Sequence, residues 1–160
     1  MIFITLGSQD KPFQRLVNEV ERLVKEHKIN EEVIAQVGPT KYNDELINGF
    51  AMAKDFKEYQ EYVDKASLII THGGVGSIID AISKGKKVIA VPRLKKYKES
   101  ANDHQEQIIK KLNDEKYIIG IYNINDLEKA IKYSKTFVPK RYIKDNRKML
   151  KIIEDFIDKN

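Results

Sequence analysis

The chain has 160 residues, 41% of them hydrophobic and 33% charged, which fits one domain with a real core. With no cysteine, it has neither a disulfide framework, a thiolate metal site nor a thiol nucleophile. No apolar run approaches the roughly 20 residues a membrane span needs, and the net charge of +5 is modest, so the composition fits a cytoplasmic domain with some leaning towards anionic partners.

Residues 2–6 are apolar and β-rich, lack the basic flank of a signal peptide, and are expected to form a first strand. Phe13, Leu16, Val17, Val20, Leu23 and Val24 then recur at helical spacing, with Pro12 suited to the first turn. Residues 32–37 read as a second strand closed by Gly38-Pro39, and 49–53 as a short third one. A helix is expected over 55–65, with Phe56, Tyr59 and Val63 on one side. Strands at 68–71 and 87–91 flank a helix that begins at Ser77, and Pro92 stops the second of them. Ile108, Ile109 and Leu112 mark a helix over 105–113. A strand at 116–121 and a helix over 124–133 follow, and a helical tail at about 141–159 carries Met149, Leu150, Ile152, Ile153, Phe156 and Ile157 as a stripe. Strands separated by helical stretches of about ten residues imply βαβ units, hence an α/β fold: a Rossmann-like parallel sheet with helices on both faces. Ligands of such sheets sit beyond the carboxyl ends of the strands, where strand order reverses. Gly7-Ser8-Gln9, Gly38-Pro39-Thr40, Thr71-His72-Gly73-Gly74 and Pro92-Arg93 occupy those ends.

The run Thr71-His72-Gly73-Gly74-Val75-Gly76-Ser77 is the most informative segment. A glycine turn between a strand and a helix brings peptide N–H groups close to an anion, and the helix N-terminus adds about half a positive charge. Gly73, Gly74 and Gly76 serve a phosphate cradle or a tight packing turn, and Ser77 caps the helix or donates to phosphate. No Gly-Lys-Ser/Thr follows, so this is not a P-loop, and a dinucleotide fingerprint belongs after the first strand instead. Asp80, one helical turn later, can accept from both hydroxyls of a ribose; it equally suits the first turns of any helix. Asn102-Asp103-His104-Gln105 opens the next helix, as sugar-reading amides or as an N-cap. Lys84, Lys86, Lys87, Arg93, Lys95, Lys96 and Lys98 crowd fifteen residues, as an anion-facing patch or a solvated face. His27, His72 and His104 are too scattered for a metal site, and no nucleic-acid motif is present.

Taken together, residues 71–81, Gly85-Lys86, Val91-Pro92-Arg93 and Asp103-His104-Gln105 resemble the donor-binding half of glycosyltransferase family 28. Met1 to Ser8, and the stretch from Val91 to Gln105, resemble the small bacterial PssE-like subunits of capsule and exopolysaccharide synthesis. The resemblance extends to about Leu127. It implies one half of a GT-B fold, with residues 1–160 as a single nucleotide-sugar-binding domain. It also implies a UDP-sugar donor, a polyprenyl-diphosphate-linked saccharide as acceptor, and a membrane-anchored partner subunit that holds the acceptor site and keeps this chain at the inner face of the membrane. The donor-binding positions carried over are Gly7, Ser8, Gly73, Gly74, Gly76, Ser77, Asp80, Arg93 and Gln105, with His72 and His104 as candidate catalytic groups. Asp80 stands where many relatives carry glutamate. No metal or other cofactor is expected, because no Asp-x-Asp motif is visible. A non-catalytic activating subunit is the competing expectation; a nucleic-acid module and a dehydrogenase domain rank behind it.

Overall fold

The first strand, β1 (Ile2–Thr5), is buried along its whole length. Ile2 and Ile4 enter one layer of the core while Phe3 enters the other, as the twofold alternation of a strand requires when both faces are covered. The computed structural model describes residues 1–143 and 147–158. In chain order the elements are α1 (Gln14–Lys25), β2 (Val33–Gln36), β3 (Asn48–Phe50), α2 (Phe56–Lys65), β4 (Leu68–Thr71), α3 (Val75–Ser83), β5 (Val88–Ala90), α4 (His104–Asp114), β6 (Ile119–Gly120), α5 (Leu127–Ser134) and α6 (Arg147–Asp158). Short 3-10 turns at Lys95–Tyr97 and Ile124–Asp126 complete the described elements.

The six strands form one parallel sheet in the order β3-β2-β1-β4-β5-β6. Strand order reverses between β1 and β4. The helices divide accordingly. Leu16, Val17, Val20 and Leu23 of α1 and Leu127, Ala130 and Ile131 of α5 pack on one face. Val63 of α2, Ile78, Ala81 and Ile82 of α3, Ile108, Ile109 and Leu112 of α4, and Ile152 of α6 pack on the other. The chain leaving β1 therefore turns towards one face and the chain leaving β4 towards the other, and a crevice opens between them.

Local chemistry explains most boundaries. Asp55 caps α2 by accepting from the Glu58 amide at 2.8 Å, three residues on. The Phe13 amide ahead of α1 donates to Thr40 Oγ1 at 3.0 Å, which pins the helix entry to the turn after β2. Pro12 thus precedes the helix instead of opening it. β3 begins before the expected 49–53 and ends at Phe50. β6 shortens to two residues, because Lys116 takes a left-handed φ of 64° and only Ile119 and Gly120 pair with β5. The tail forms α6 against α4, with Ile152 buried and Leu150 exposed; the side chains of Met149, Phe156 and Ile157 lie outside the described residues.

Ile70 sits at the middle of β4 with no exposed surface. Ile70→Ala removes this side chain from the central strand pair and is expected to lower the free energy of unfolding by about 2–5 kcal/mol. Urea denaturation with an unchanged slope checks it.

Candidate functional site

Thr5 ends β1 in register with Gln36 of β2 on one side and Thr71 of β4 on the other. Three polar residues thus close three apolar strands at one level. Thr71 Oγ1 donates to the Thr5 carbonyl at 2.9 Å, and the Tyr59 hydroxyl of α2 donates to Thr5 Oγ1 at 3.2 Å. Above this row lies a cleft of about 390 Å³. Thr5, Gln36 and the loop residues Gly7 and Ser8 line it from the sheet, Phe56 and Tyr59 from α2, and Gly76, Ser77 and Asp80 from α3. The Phe56 ring is 74% exposed at the rim.

The helix α3 starts with Gly74 as its N-cap, and the first intrahelical bond runs from the Ile78 amide to the Gly74 carbonyl. The amides of Val75, Gly76 and Ser77 are therefore left without intrahelical acceptors, at the positive end of the dipole. Ser77 lies within the first turn and is not the cap. A Cβ on Gly76 would meet nothing within 4 Å, so glycine there leaves open space where a ligand would come. Asp80 stands one turn further on, half-buried, with Oδ2 accepting from Gln60 Nε2 at 3.0 Å. The cleft thus holds free donors at one end and a carboxylate at the other.

The remaining predicted residues interlock beneath this surface. Gln105, 7% exposed, accepts the amides of both Gly73 and Arg93 through its single Oε1, each at 3.0 Å. The Gly73 amide, expected among the anion donors, is consumed by that bond. Gly73 also has no room for a side chain, since a Cβ would lie 2.4 Å from Gln105 Cβ. Arg93, 1% exposed, donates to the carbonyls of Leu6, Lys11 and Glu99 at 2.8, 2.9 and 3.2 Å. Its guanidinium ties the loop after β1 to the loop after β5 instead of facing the cleft, and the Phe13 ring lies 5.0 Å away. Glu99 in turn holds Arg15 through two bonds of 3.1 and 3.0 Å.

His72 is 4% exposed and fills the floor between two glycines. A Cβ on Gly7 would come within 2.5 Å of His72 Nε2, and one on Gly74 within 2.6 Å of the same ring. Gly7 also needs its positive φ of 74°. Burial first, and the Arg93 charge second, push the His72 pKa down to about 4, against a weaker opposing effect of the Gln105 side chain. His72 is therefore neutral at ordinary pH, which makes it a weak base, and its Nδ1 has no hydrogen-bond partner among the described residues. His104 opens α4 away from the cleft lining, its amide bonded to Asn102 Oδ1 at 3.0 Å. Among the described residues no group of three or more His, Asp or Glu side chains is placed to hold a metal ion.

The sequence profile of the glycosyltransferase family 28 C-terminal domain matches residues 1–159. The chain belongs to that family. As a family 28 domain it is a glycosyltransferase domain, and its fold recurs in solved structures of low sequence identity. A solution structure of ALG13 superposes with a TM-score of 0.60 at 19% identity, over 95% of this chain and 93% of that one. CalG4, the calicheamicin glycosyltransferase, gives 0.58 at 12% identity, and the spinosyn forosaminyltransferase SpnP gives 0.54 at 15%. The match to CalG4 covers 97% of this chain but 38% of CalG4, and that to SpnP covers 82% and 34%. Among curated proteins none matches significantly.

The family 28 domain also divides the basic run between Lys84 and Lys98. Lys84 pairs with Asp64, while Lys86 and Lys87 donate to the carbonyls of Asp64, Ala66, Ser134 and Lys135. These sit at the amino end of β5. Lys95, Lys96 and Lys98 lie past its carboxyl end, exposed around Tyr97, and Arg93 is buried. Sequence reasoning missed Thr5, Gln36, Tyr59 and Gln60. The first two were signalled by polar residues ending apolar strands; Tyr59 was visible only as part of an apolar stripe, and nothing local marked Gln60.

His72 gives a signed pH effect. The unfolded chain protonates it near 6.5 and the folded one near 4, so its neutral burial contributes stability above pH 6.5 that is lost as pH falls towards 4. The loss is expected to be about 3 kcal/mol and absent from His72→Asn, as read from urea melts across that range. Gly7→Ala forces a side chain onto a left-handed backbone and into the imidazole. It should destabilise by at least about 1–2 kcal/mol and shift the His72 ring resonances in NMR spectra.

Proposed function

We propose that this chain is the UDP-sugar-binding catalytic subunit of a two-component glycosyltransferase of PssE-like type. It would transfer a sugar from a UDP-sugar to a hydroxyl of a polyprenyl-diphosphate-linked saccharide in capsule or exopolysaccharide synthesis. The observation that carries this reading is the pairing, in one cleft, of the unpartnered amides of Gly76 and Ser77 in the first turn of α3 with the Asp80 carboxylate one turn later. That spacing matches a diphosphate joined to a ribose. The diphosphate takes the amides of Gly76 and Ser77 with the Ser77 hydroxyl, and the ribose diol takes Asp80. The exposed Phe56 ring across the cleft offers a flat face for the uracil, since aromatic stacking suits any base.

In this reading the leaving UDP needs no metal. Oriented peptide N–H groups and the helix N-terminus lie where negative charge develops, and one such donor is worth about 3 kcal/mol of barrier lowering. In-line attack by the acceptor hydroxyl breaks the bond between the anomeric carbon and the phosphate oxygen. The attack inverts the anomeric centre, and the hydroxyl proton passes to a base. His72, neutral and sealed behind Gly7 and Gly74, is better suited to shaping the floor than to receiving that proton. Because His104 lies away from the cleft lining, we assign the base to the partner half. Gly73, Arg93 and Gln105 act in this scheme by holding the loops that carry Gly7, Ser8 and the first turn of α3.

The likeness to ALG13, which runs over nearly the whole of both chains, supports the two-component reading. The chain spans about a third of CalG4 and SpnP but nearly all of the ALG13 chain. A membrane-anchored partner would then supply the acceptor half and keep this subunit at the cytoplasmic face of the membrane. No helix among the described residues is long and apolar enough to cross a membrane. Lys95, Lys96 and Lys98 around Tyr97, which is 51% exposed, would meet anionic lipid on the same edge as the cleft. Each basic residue near such a surface contributes about 1 kcal/mol.

Asp80→Ala should weaken UDP binding by about tenfold or more while leaving the fold intact, as expected for losing hydrogen bonds to a charged acceptor. Isothermal calorimetry with UDP, paired with a circular dichroism melt, measures both. An unchanged affinity removes Asp80 from the site. A wild-type chain that binds no UDP favours an activating subunit without donor chemistry.

A further inference from the structure

Asp80 is held from behind. Gln60 Nε2 on α2 donates to Asp80 Oδ2 on α3 at 3.0 Å, across 20 positions of sequence. Asp80 lines the cleft and Gln60 does not. The amide orientation follows from chemistry, because the reverse placement would set a carbonyl oxygen against a carboxylate, two acceptors with no proton between them. In the orientation it takes, Gln60 Oε1 is buried without a hydrogen-bond partner among the described residues. Leaving a buried carbonyl unpaired is unfavourable. The amide therefore sits where its N–H serves Asp80, not where its own two ends are both satisfied. Among the described residues no lysine pairs with this carboxylate: Lys84, the nearest in sequence, turns to Asp64.

We propose that Gln60 is a positioning residue that makes this cleft selective for ribonucleotides. By occupying one lone-pair direction of Oδ2 it stops the carboxylate from rotating. The remaining lone pairs are then presented to a vicinal diol, one hydroxyl to each oxygen. A nucleoside diphosphate lacking the 2′-hydroxyl leaves one of those acceptors unmet inside a half-buried wall. This rests on the donor-site reading above, and it goes beyond that reading by placing the discrimination in α2, on a side chain that touches no substrate.

The test is calorimetry of wild type, Gln60→Met and Gln60→Glu with UDP, 2′-deoxy-UDP and inorganic pyrophosphate. Wild type is expected to favour UDP over 2′-deoxy-UDP by about tenfold, in keeping with one hydrogen bond to a charged acceptor. Gln60→Met keeps the length and loses the donor; its preference should fall to about threefold or less while pyrophosphate affinity stays unchanged, since partial disorder of Asp80 weakens only the diol contacts. Gln60→Glu sets a second carboxylate against Asp80. Two carboxylates at hydrogen-bond distance share a proton at lower pH and repel once alkaline pH forces both to ionise, so UDP binding by this variant should be weak at alkaline pH and recover on acidification, which a merely structural role for Gln60 would not produce. A Gln60→Met chain that separates the two nucleotides as wild type does, or a Gln60→Glu chain without the pH dependence, overturns the proposal. Wild type that binds pyrophosphate but does not separate the nucleotides overturns the ribose assignment of Asp80, and this proposal with it. That result is distinct from the first because it is seen before any substitution.

Discussion

Gln105 Oε1 accepts two peptide N–H groups at once, those of Gly73 and Arg93. Both bonds are buried, where a hydrogen bond is stronger and a missing one is more unfavourable than at the surface. They tie the chain leaving β4 to the chain leaving β5 at the point where each abandons the sheet. The direction in which α3 sets out, and hence where its free amides point, follows from that tie. So does the absence of a side chain at residue 73, because the methylene groups of Gln105 fill the space one would need. Arg93, fixed by its own amide, is left with its guanidinium aimed at the carbonyls of Leu6 and Lys11. One amide oxygen thereby organises three loops.

Two layers result. The upper layer is soft chemistry: unpaired amides, hydroxyls, an exposed ring and one carboxylate around an open space. The lower layer is tightly packed, with His72 between glycines, Arg93 among carbonyls and Glu99 on Arg15. Rigid support under a polar surface lets the surface hold a geometry without the ligand, the condition under which dipoles stabilise developing charge at no cost in reorganisation. The Arg93 charge in that layer adds to burial in keeping His72 unprotonated.

What could be read in the sequence was whatever rests on neighbours along the chain. Strands and helices alternate in the apolar pattern itself, so the parallel sheet with two covered faces was legible. The glycine turn and the place of Asp80 beside it were legible because strand, turn and first helical turn are contiguous, and Asp80 lies four positions after Gly76. Residues that act through distant partners were misplaced. Arg93 and Gln105 looked like ligand contacts because they sit at strand and helix ends, yet their polar atoms are committed to backbone far away in sequence. The lysine run was contiguous in sequence but straddles β5, so the sheet carries its halves to opposite ends. β6 was overestimated because its apolar residues Tyr117 and Ile118 are buried by α4 and α6 without sheet pairing. Gln60 had no local mark at all.

The order of the strands carries a kinetic consequence. β1 lies between β2 and β4, and its register with β4 pairs Ile2 with Leu68. During synthesis the first strand must therefore wait, with one edge unpaired and both faces apolar, until the fourth has left the ribosome. Contacts this distant along the chain fold slowly, and an open strand edge recruits other chains in the meantime. The nascent polypeptide is most vulnerable to aggregation at the strand that becomes the centre of its sheet, and a chaperone would do most for it over that interval.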